Sequence, residues 1–196
     1  MRPFTTIEAK AAVLDRANID TDQIIPARFL RKPRGNGYGP FLFHDVPALR
    51  DAVEGAGVVF AAENFGCGSS REGAVYALMD SGVRCVVAPS FGDIFAGNAG
   101  KNGLLLLTLN EAETSALRRA AAAGEPVTVD LAAQRVTGPG GTSLEFDIDP
   151  LRKRMLLEGL DDIGMTLAHS DALDAWAVRD FVERPWVAAF KVPSEP

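Results

Sequence analysis

The densest group of potentially reactive side chains lies in one segment, residues 63–73, with the sequence ENFGCGSSREG. This segment, here named the central turn, carries two adjacent hydroxyls, Ser69 and Ser70, and the guanidinium of Arg71. Glycines let the backbone approach a ligand closely, and free N–H groups at the start of a helix attract anions. A serine oxyanion stabilised there would be a strong base, able to remove a proton from a carbon beside a carboxylate. Arg71 could bind that carboxylate through two parallel hydrogen bonds.

The sequences on either side predict the elements that position the central turn. The apolar run at residues 58–62 predicts a buried strand before it, and residues 74–79 predict a helix after it. Ser69 and Glu72 also have the Ser-x-x-Glu spacing of a capping box, in which a serine caps the helix. The residues alone leave two interpretations open: a helix cap at Ser69, or a serine held at a helix start for catalysis.

Other motifs that carry chemistry do not fit the central turn. A dinucleotide fingerprint would need a third glycine, a phosphate-binding loop would need Gly-Lys-Ser/Thr, and a hydrolase elbow would need Gly-x-Ser-x-Gly. Cys67 could act as a nucleophile only with a histidine base, and His44 and His169 are both distant in sequence. We therefore expect Cys67 to be a small buried residue and both histidines to be structural.

A second group of charged side chains lies in residues 27–40, ARFLRKPRGNGYGP, here named the basic segment. Its four cations, Arg28, Arg31, Lys32 and Arg34, could form a clamp for an anion. A solvated loop is the alternative interpretation of the same residues. Because the basic segment is rich in glycine, we expect it to be flexible in the isolated chain.

The remaining sequence predicts an α/β protein. Four apolar strands alternate with helices, which is typical of βαβ units and a mostly parallel central sheet, and three short strands then predict a small β-meander. Ser90 and Asn110 are predicted to cap the helices that follow them. The predicted strands are residues 7–14, 58–62, 84–88, 104–109, 127–129, 135–137 and 144–146, and the predicted helices are residues 90–98, 111–123, 151–158 and 172–183, with a turn at residues 161–164.

Length and composition predict a single domain over residues 1–196, with a small appended lobe as the alternative. The chain has 196 residues, of which 47% are hydrophobic and 23% charged, so it can bury a core of ordinary size. Aromatic side chains near the C-terminus are expected to pack in the core or at an interface. They are Trp176, Phe181, Trp186 and Phe190.

Charge and composition argue against several classes of function. A net charge of −6 and a pI of about 5.0 provide no basic face for nucleic acid. Two cysteines are too few for a disulfide framework or a zinc site, so we expect no metal or cofactor on this chain. The longest apolar run, residues 104–107, is far too short to span a bilayer, and the first residues lack a signal peptide's apolar core. We expect a cytoplasmic protein that contacts no membrane.

Four motifs together resemble one family. Residues 64–72, NFGCGSSRE, resemble the signature of the small subunit of 3-isopropylmalate dehydratase, in the aconitase superfamily. Three further stretches resemble the N-terminal, third and C-terminal motifs of that family: NIDTDQIIP at residues 18–26, APSFGDIFAGN at 88–98 and GLDDIGMTL at 159–167. The four motifs occur in the family's order and extend over nearly the whole chain.

The resemblance implies a fold, a partner and a reaction. The fold is the aconitase-type swivel domain of β/β/α type, and the partner is a large subunit with which the chain would form a heterodimer. That subunit is expected to carry a four-iron–four-sulfur cluster on its own cysteines, and the cluster iron would act as a Lewis acid on the leaving hydroxyl. The implied reaction interconverts 2-isopropylmalate and 3-isopropylmalate by dehydration and rehydration, in leucine biosynthesis.

The resemblance also implies roles for particular residues. Ser69 would be the base that removes the carbon-bound proton, and Ser70 and Arg71 would bind the small dicarboxylate substrate. The variable side group of the substrate would lie against three residues of the basic segment, namely Phe29, Leu30 and Arg31.

Two positions depart from the pattern expected for isopropylmalate. The family usually has a histidine where this chain has Gly73, and Arg31 suits a side group that carries an extra carboxylate better than an isopropyl group. A paralogous subunit acting on citraconate or a methylmalate, on maleate or on homoaconitate is therefore an alternative. A further alternative is a dicarboxylate-binding module without catalysis.

Overall fold

The computed structural model describes residues 1–186 of the chain, and this part is an α/β protein, as predicted. The strands are β1 (Thr6–Leu14), β2 (Val58–Ala61), β3 (Cys85–Ala88), β4 (Leu105–Thr108), β5 (Pro126–Asp130), β6 (Arg135–Thr137) and β7 (Ser143–Glu145). The α-helices are α1 (Thr21–Ile24), α2 (Pro47–Val53), α3 (Glu72–Asp80), α4 (Asp93–Asn102), α5 (Glu111–Ala122), α6 (Pro150–Glu158), α7 (Asp162–Leu167) and α8 (Ser170–Glu183).

All seven strands belong to one sheet with the order β4-β3-β2-β1-β5-β6-β7. The four strands β4, β3, β2 and β1 are parallel, and β5, β6 and β7 continue the sheet as an antiparallel meander. Strand β1 joins the two halves, because its residues 11–14 pair with β2 and its residues 6–10 pair with β5. The predicted parallel strands and β-meander are confirmed, and both lie in the same sheet.

Two apolar clusters form the core, one against each face of the sheet. Successive side chains of a strand point to opposite faces. Val59 of β2 accordingly packs in one cluster with residues of α1 to α4, and Phe60 packs in the other with residues of α5, α6 and the meander. β2 and β3 are buried along their whole length, as expected for parallel strands covered on both sides. The central turn follows β2 and leads into α3, a helix of the first cluster.

One of the two predicted helix caps is confirmed and the other is wrong. Asn110 caps α5 in a full capping box, because its side chain accepts a hydrogen bond from the N–H of Glu113 at 2.8 Å. Helix α4 instead has Gly92 at its N-cap position, with no side-chain cap. The Ser90 hydroxyl lies before that start and accepts a hydrogen bond from the N–H of Asn64 at 2.8 Å. Ser90 therefore stabilises the central turn rather than α4.

The chain divides into two compact units, Met1–Leu160 and Asp161–Pro196, and the second is helical where it is described. Asp161 caps α7 by accepting a hydrogen bond from the N–H of Gly164 at 2.7 Å, so the turn predicted at residues 161–164 is wrong. No residue from 161 to 186 is buried. Large apolar side chains on α7 and α8 are exposed instead, for example Ile163 and Val178. Whether residues 1–196 fold as one domain stays a prediction.

The aromatic side chains predicted to pack near the C-terminus are not core residues where they are described. Trp176, Phe181 and Trp186 are 51%, 59% and 63% exposed. Phe190 lies outside the described residues. Packing at an interface with another molecule remains the prediction for the three exposed side chains.

Within residues 1–186, no helix is long and apolar enough to cross a bilayer.

Candidate active site

The central turn lies between two other predicted motifs, which hold it through backbone hydrogen bonds. The N–H of Gly66 donates to the carbonyl of Ile19 at 2.8 Å, and the N–H of Phe65 donates to the carbonyl of Ser90 at 3.1 Å. Gly66 has a φ of +73°, and a Cβ there would lie 2.3 Å from the ring of Phe95. Only glycine fits this position, because both the backbone conformation and the space exclude a side chain.

Of the two interpretations left open for Ser69, the capping box with Glu72 is wrong. Helix α3 begins at Glu72 with Arg71 as its N-cap residue, and no side chain caps it. The carboxylate of Glu72 accepts a hydrogen bond from the side-chain amide of Asn102 at 2.7 Å, so it does not return to the backbone of Ser69. Ser69 lies two residues before the N-cap, too far to reach the first N–H groups of the helix. Its side chain is therefore left for other contacts.

The side chains and amides around Ser69 are open to a ligand. Ser69 and Ser70 are both exposed. Within the described part of the chain, the backbone N–H groups of Ser69, Ser70 and Arg71 make no hydrogen bond. Free N–H groups beside a helix start, together with a guanidinium, form an environment that favours an anion. The structure thus brings Ser69, Ser70 and Arg71 together at one surface.

Thr21, at the first position of α1, links Ser69 to Arg71. Its hydroxyl donates to the carbonyl of Ser69 at 2.8 Å and accepts a hydrogen bond from Nη1 of Arg71 at 3.2 Å. Thr21 is only 2% exposed, and Nη2 of Arg71 lies 3.5 Å from the carboxylate of Asp22. Thr21 and Asp22 belong to the NIDTDQIIP motif at residues 18–26, and Asp20 of the same motif caps α1. The motif did not indicate the contact with the central turn.

The basic segment forms three short 3₁₀ turns, Ala27–Arg31, Arg34–Asn36 and Gly39–Phe41. Arg28 pairs through two nitrogens with the carboxylate of Asp45, and these hydrogen bonds hold the pKa of Asp45 well below its usual range. Arg34 donates to the carboxylate of Asp80 at 2.8 Å. The side chain of Arg31, in contrast, makes no hydrogen bond or ion pair with any described residue, unlike those of Arg28 and Arg34. Internal pairing thus removes two of the three arginines from the predicted anion clamp.

The two apolar residues predicted to meet the substrate also have contacts within the chain. The ring of Phe29 stacks on that of Phe41, with 4.3 Å between centroids and 9° between planes. The side chain of Leu30 packs over Gly73, where a Cβ would lie 2.4 Å from Cδ2 of Leu30. The Leu30 contact brings the basic segment against the first turn of α3, two residues beyond Arg71.

Comparisons with known proteins agree with this arrangement. A family model described as the aconitase C-terminal domain matches residues 46–112, and a LeuD_N model matches residues 115–150. The crystal structure of 3-isopropylmalate dehydratase (leuD) from Methanocaldococcus jannaschii superposes with a TM-score of 0.70 at 27% sequence identity. The match covers 87% of this chain and 98% of that one.

The chain belongs to the aconitase superfamily, as a small subunit of the LeuD type.

The boundary between the two matched regions lies shortly after β4, the last parallel strand along the chain. The aconitase model covers β2, the central turn, α3, β3, α4 and β4, and so includes Ser69, Ser70 and Arg71. The LeuD_N model covers the rest of α5 and the meander. The swivel-type α/β fold predicted from the four sequence motifs is confirmed by the structural match.

The LeuD-type subunit does not itself offer ligands for a four-iron–four-sulfur cluster, which needs several thiolates. Its sequence has two cysteines, and Cys85 lies buried in β3, where burial raises the pKa of its thiol above the ordinary range. Among residues 1–186, no group of three or more His, Cys, Asp and Glu side chains could hold a metal ion. The described residues therefore provide no ligand set for a cluster of the kind expected for the family.

Proposed function

We propose that this LeuD-type subunit forms part of a cytoplasmic hydro-lyase that interconverts 2-isopropylmalate and 3-isopropylmalate in leucine biosynthesis. The proposal rests on one observation. Ser69 is exposed, and the hydroxyl of Thr21 donates to the Ser69 carbonyl and accepts a hydrogen bond from the guanidinium of Arg71. One buried side chain thus connects the backbone of the proposed base, Ser69, with the carboxylate-binding group of Arg71. This geometry suits proton abstraction from a carbon next to a carboxylate.

The proposed roles follow from the chemistry of the three residues. Arg71 binds a substrate carboxylate, and the free N–H groups of Ser69, Ser70 and Arg71 favour negative charge at the same place. Ser69, as its oxyanion, takes the proton from the neighbouring carbon and becomes a neutral hydroxyl. The electron pair left on that carbon forms the double bond as hydroxide departs from the adjacent carbon. In rehydration, hydroxide adds to the carbon that lost the proton, and the hydroxyl of Ser69 returns a proton to the carbon that lost hydroxide.

The proposal includes a large subunit, because LeuD-type small subunits pair with one. We assign the four-iron–four-sulfur cluster to that partner, since the described residues of this chain provide no ligand set for it. The small dicarboxylate substrate would then bind between groups of two polypeptides. The isolated chain should show no turnover, and activity should follow addition of the large subunit under anaerobic conditions.

Substitution of Ser69 tests the proposal in the reconstituted complex. We expect Ser69→Ala to lower kcat about 100- to 10 000-fold, the range typical for loss of a general base. Ser143→Ala, at an exposed serine of β7, is the matched control and should retain wild-type turnover. Size-exclusion chromatography with the large subunit should show unchanged assembly for both variants. Near-normal turnover by Ser69→Ala would contradict the assignment.

One observation favours a second candidate, a substrate whose side group carries an extra carboxylate, as in homoaconitate. Arg28 and Arg34 are paired with Asp45 and Asp80, whereas Arg31 has no partner among the described residues. A substrate panel with the reconstituted complex separates the candidates: isopropylmalate, citramalate, dimethylmalate, maleate and homoaconitate. Binding of these acids without turnover of any would favour the binding module instead.

A further inference from the structure

Gly73 is a glycine that its own backbone does not require. It is the second residue of α3, and its φ lies outside the left-handed region that favours glycine. Glycine in a helix is less favourable than alanine, so a reason for it must come from the surroundings. A Cβ at this position would lie 2.4 Å from Cδ2 of Leu30 and 3.5 Å from Cε2 of Tyr38. The space that a side chain would need is filled by the basic segment.

Tyr38, which also lies against Gly73, is hydrogen-bonded to the backbone on both sides of Arg31. The hydroxyl of Tyr38 lies 3.4 Å from the carbonyl of Leu30 and 3.2 Å from that of Lys32, and donates to these oxygens. The ring of Tyr38 is buried, and it lies against Gly73 next to the side chain of Leu30. Leu30 and Tyr38 together therefore hold the backbone around Arg31 against the first turn of α3.

Arg71 and Gly73 are two residues apart at the start of one helix. The distance between Arg71 and the backbone of Arg31 consequently depends on how closely Leu30 approaches Gly73. A side chain at position 73 would displace the end of the Leu30 side chain, which belongs to the residue before Arg31. Proteins transmit such shifts because their interiors are closely packed.

We propose that Gly73 is a specificity-determining residue: its missing side chain admits Leu30 and so sets the spacing between Arg71 and Arg31, which selects among substituted malates by their side group. This inference rests on the proposed function. Malates with a carboxylate in the side group are the class most sensitive to this spacing, because an ion pair between fixed groups depends on their separation. Malates with an alkyl side group depend less on the position of Arg31.

Thermal unfolding of the full chain tests the contact without any activity assay. Gly73→Ala should fail to raise Tm, because the new methyl group conflicts with Leu30. The same substitution in a Leu30→Ala background should raise Tm, since the conflict is gone and alanine favours the helix. Gly97→Ala is the matched control, because Gly97 lies in α4 with no atom within 4 Å of a Cβ there, and it should raise Tm. A rise in Tm for Gly73→Ala equal to that for Gly97→Ala would overturn the proposal.

Selectivity is tested with the same variants in the reconstituted complex. We expect Gly73→Ala to lower the ratio of kcat/KM for homoaconitate to that for isopropylmalate about tenfold, the size of effect that one methyl group has in a binding pocket. Gly97→Ala should leave this ratio unchanged. If the complex turns over neither acid, the proposed function fails, and the ratio is measured from dissociation constants by calorimetry instead. A ratio that Gly73→Ala leaves unchanged overturns the inference, whatever the melting temperatures show.

Discussion

Thr21 is a buried residue that connects the backbone of Ser69 with the side chain of Arg71, the two residues of the proposed chemistry. Its hydroxyl joins the carbonyl of Ser69 to the guanidinium of Arg71, across 48 and 50 residues of sequence. A hydroxyl that both donates and accepts in this way fixes the two groups relative to each other. Valine has nearly the same shape but can do neither.

We expect Thr21→Val to weaken the site more than the fold. Loss of these hydrogen bonds should cost about 1 kcal/mol of unfolding free energy and lower kcat/KM about tenfold in the reconstituted complex. Most of the loss should appear as a higher KM, because Arg71 would lose its position for the substrate carboxylate. Thr21→Ser retains the hydroxyl and should stay close to wild type. A Thr21→Val enzyme with wild-type kcat/KM would show that Thr21 has only a structural role.

At the scale of elements, helix α3 contacts the basic segment at both of its ends. Leu30 and Tyr38 lie over Gly73 at its start, and Asp80 at its end binds Arg34 and accepts the N–H of Tyr38 at 2.7 Å. The Cζ atom of Arg34 also lies 4.2 Å from the centroid of the Tyr76 ring. The predicted flexibility of the basic segment therefore depends on the strength of these contacts with α3.

Substitution of Asp80 tests the contact at the end of α3. Asp80→Asn removes the charge that binds Arg34, a partly exposed ion pair worth at most about 1 kcal/mol. Global stability should therefore change little, while the basic segment opens more often. We expect trypsin to cleave after Arg31 and Arg34 several times faster in native buffer. Asp51→Asn, at a looser exposed pair with Arg50, is the control and should leave cleavage unchanged. Equal cleavage rates in all three proteins would contradict the predicted role of Asp80.

Elements were predicted well where a local pattern decides them. Local sequence patterns predicted all seven strands, and Asn110 predicted the start of α5, because periodicity, turns and capping depend on neighbouring residues. The cap at Ser90 was predicted wrongly for a tertiary reason. Ser90 occurs in a suitable local pattern, but its hydroxyl accepts a hydrogen bond from the N–H of Asn64, and the helix starts later.

At the scale of the whole molecule, the buried side chains of residues 1–186 all lie between Phe4 and Leu156. The last of them, Leu156 in α6, is 0% exposed, and its carbonyl accepts the N–H of Phe4 at 2.8 Å. Residues 161–186 add no buried side chain. Among the described residues, the buried core therefore ends before residue 160.

Two truncated chains test this conclusion. A chain that ends at residue 160 should unfold cooperatively, with a Tm within a few degrees of the full chain, because none of the described residues that it loses is buried. A chain that ends at residue 149 lacks α6 and Leu156, and its Tm should fall strongly, since a leucine lost from a core costs about 2–5 kcal/mol. Circular dichroism during heating measures both. Loss of the cooperative transition in the longer variant would show that the second unit is needed for folding.

The sequence by itself determined the class of fold, the order of most elements and the membership of the superfamily, because these depend on periodicity and on motifs of adjacent residues. Only the tertiary structure decided how the candidate site is built. It joined Thr21 to Ser69 and Arg71, paired Arg28 and Arg34 with carboxylates while leaving Arg31 without a partner among the described residues, and packed Leu30 over Gly73. These contacts join residues far apart in the chain, and their geometry depends on how all the elements pack together, which no local pattern records.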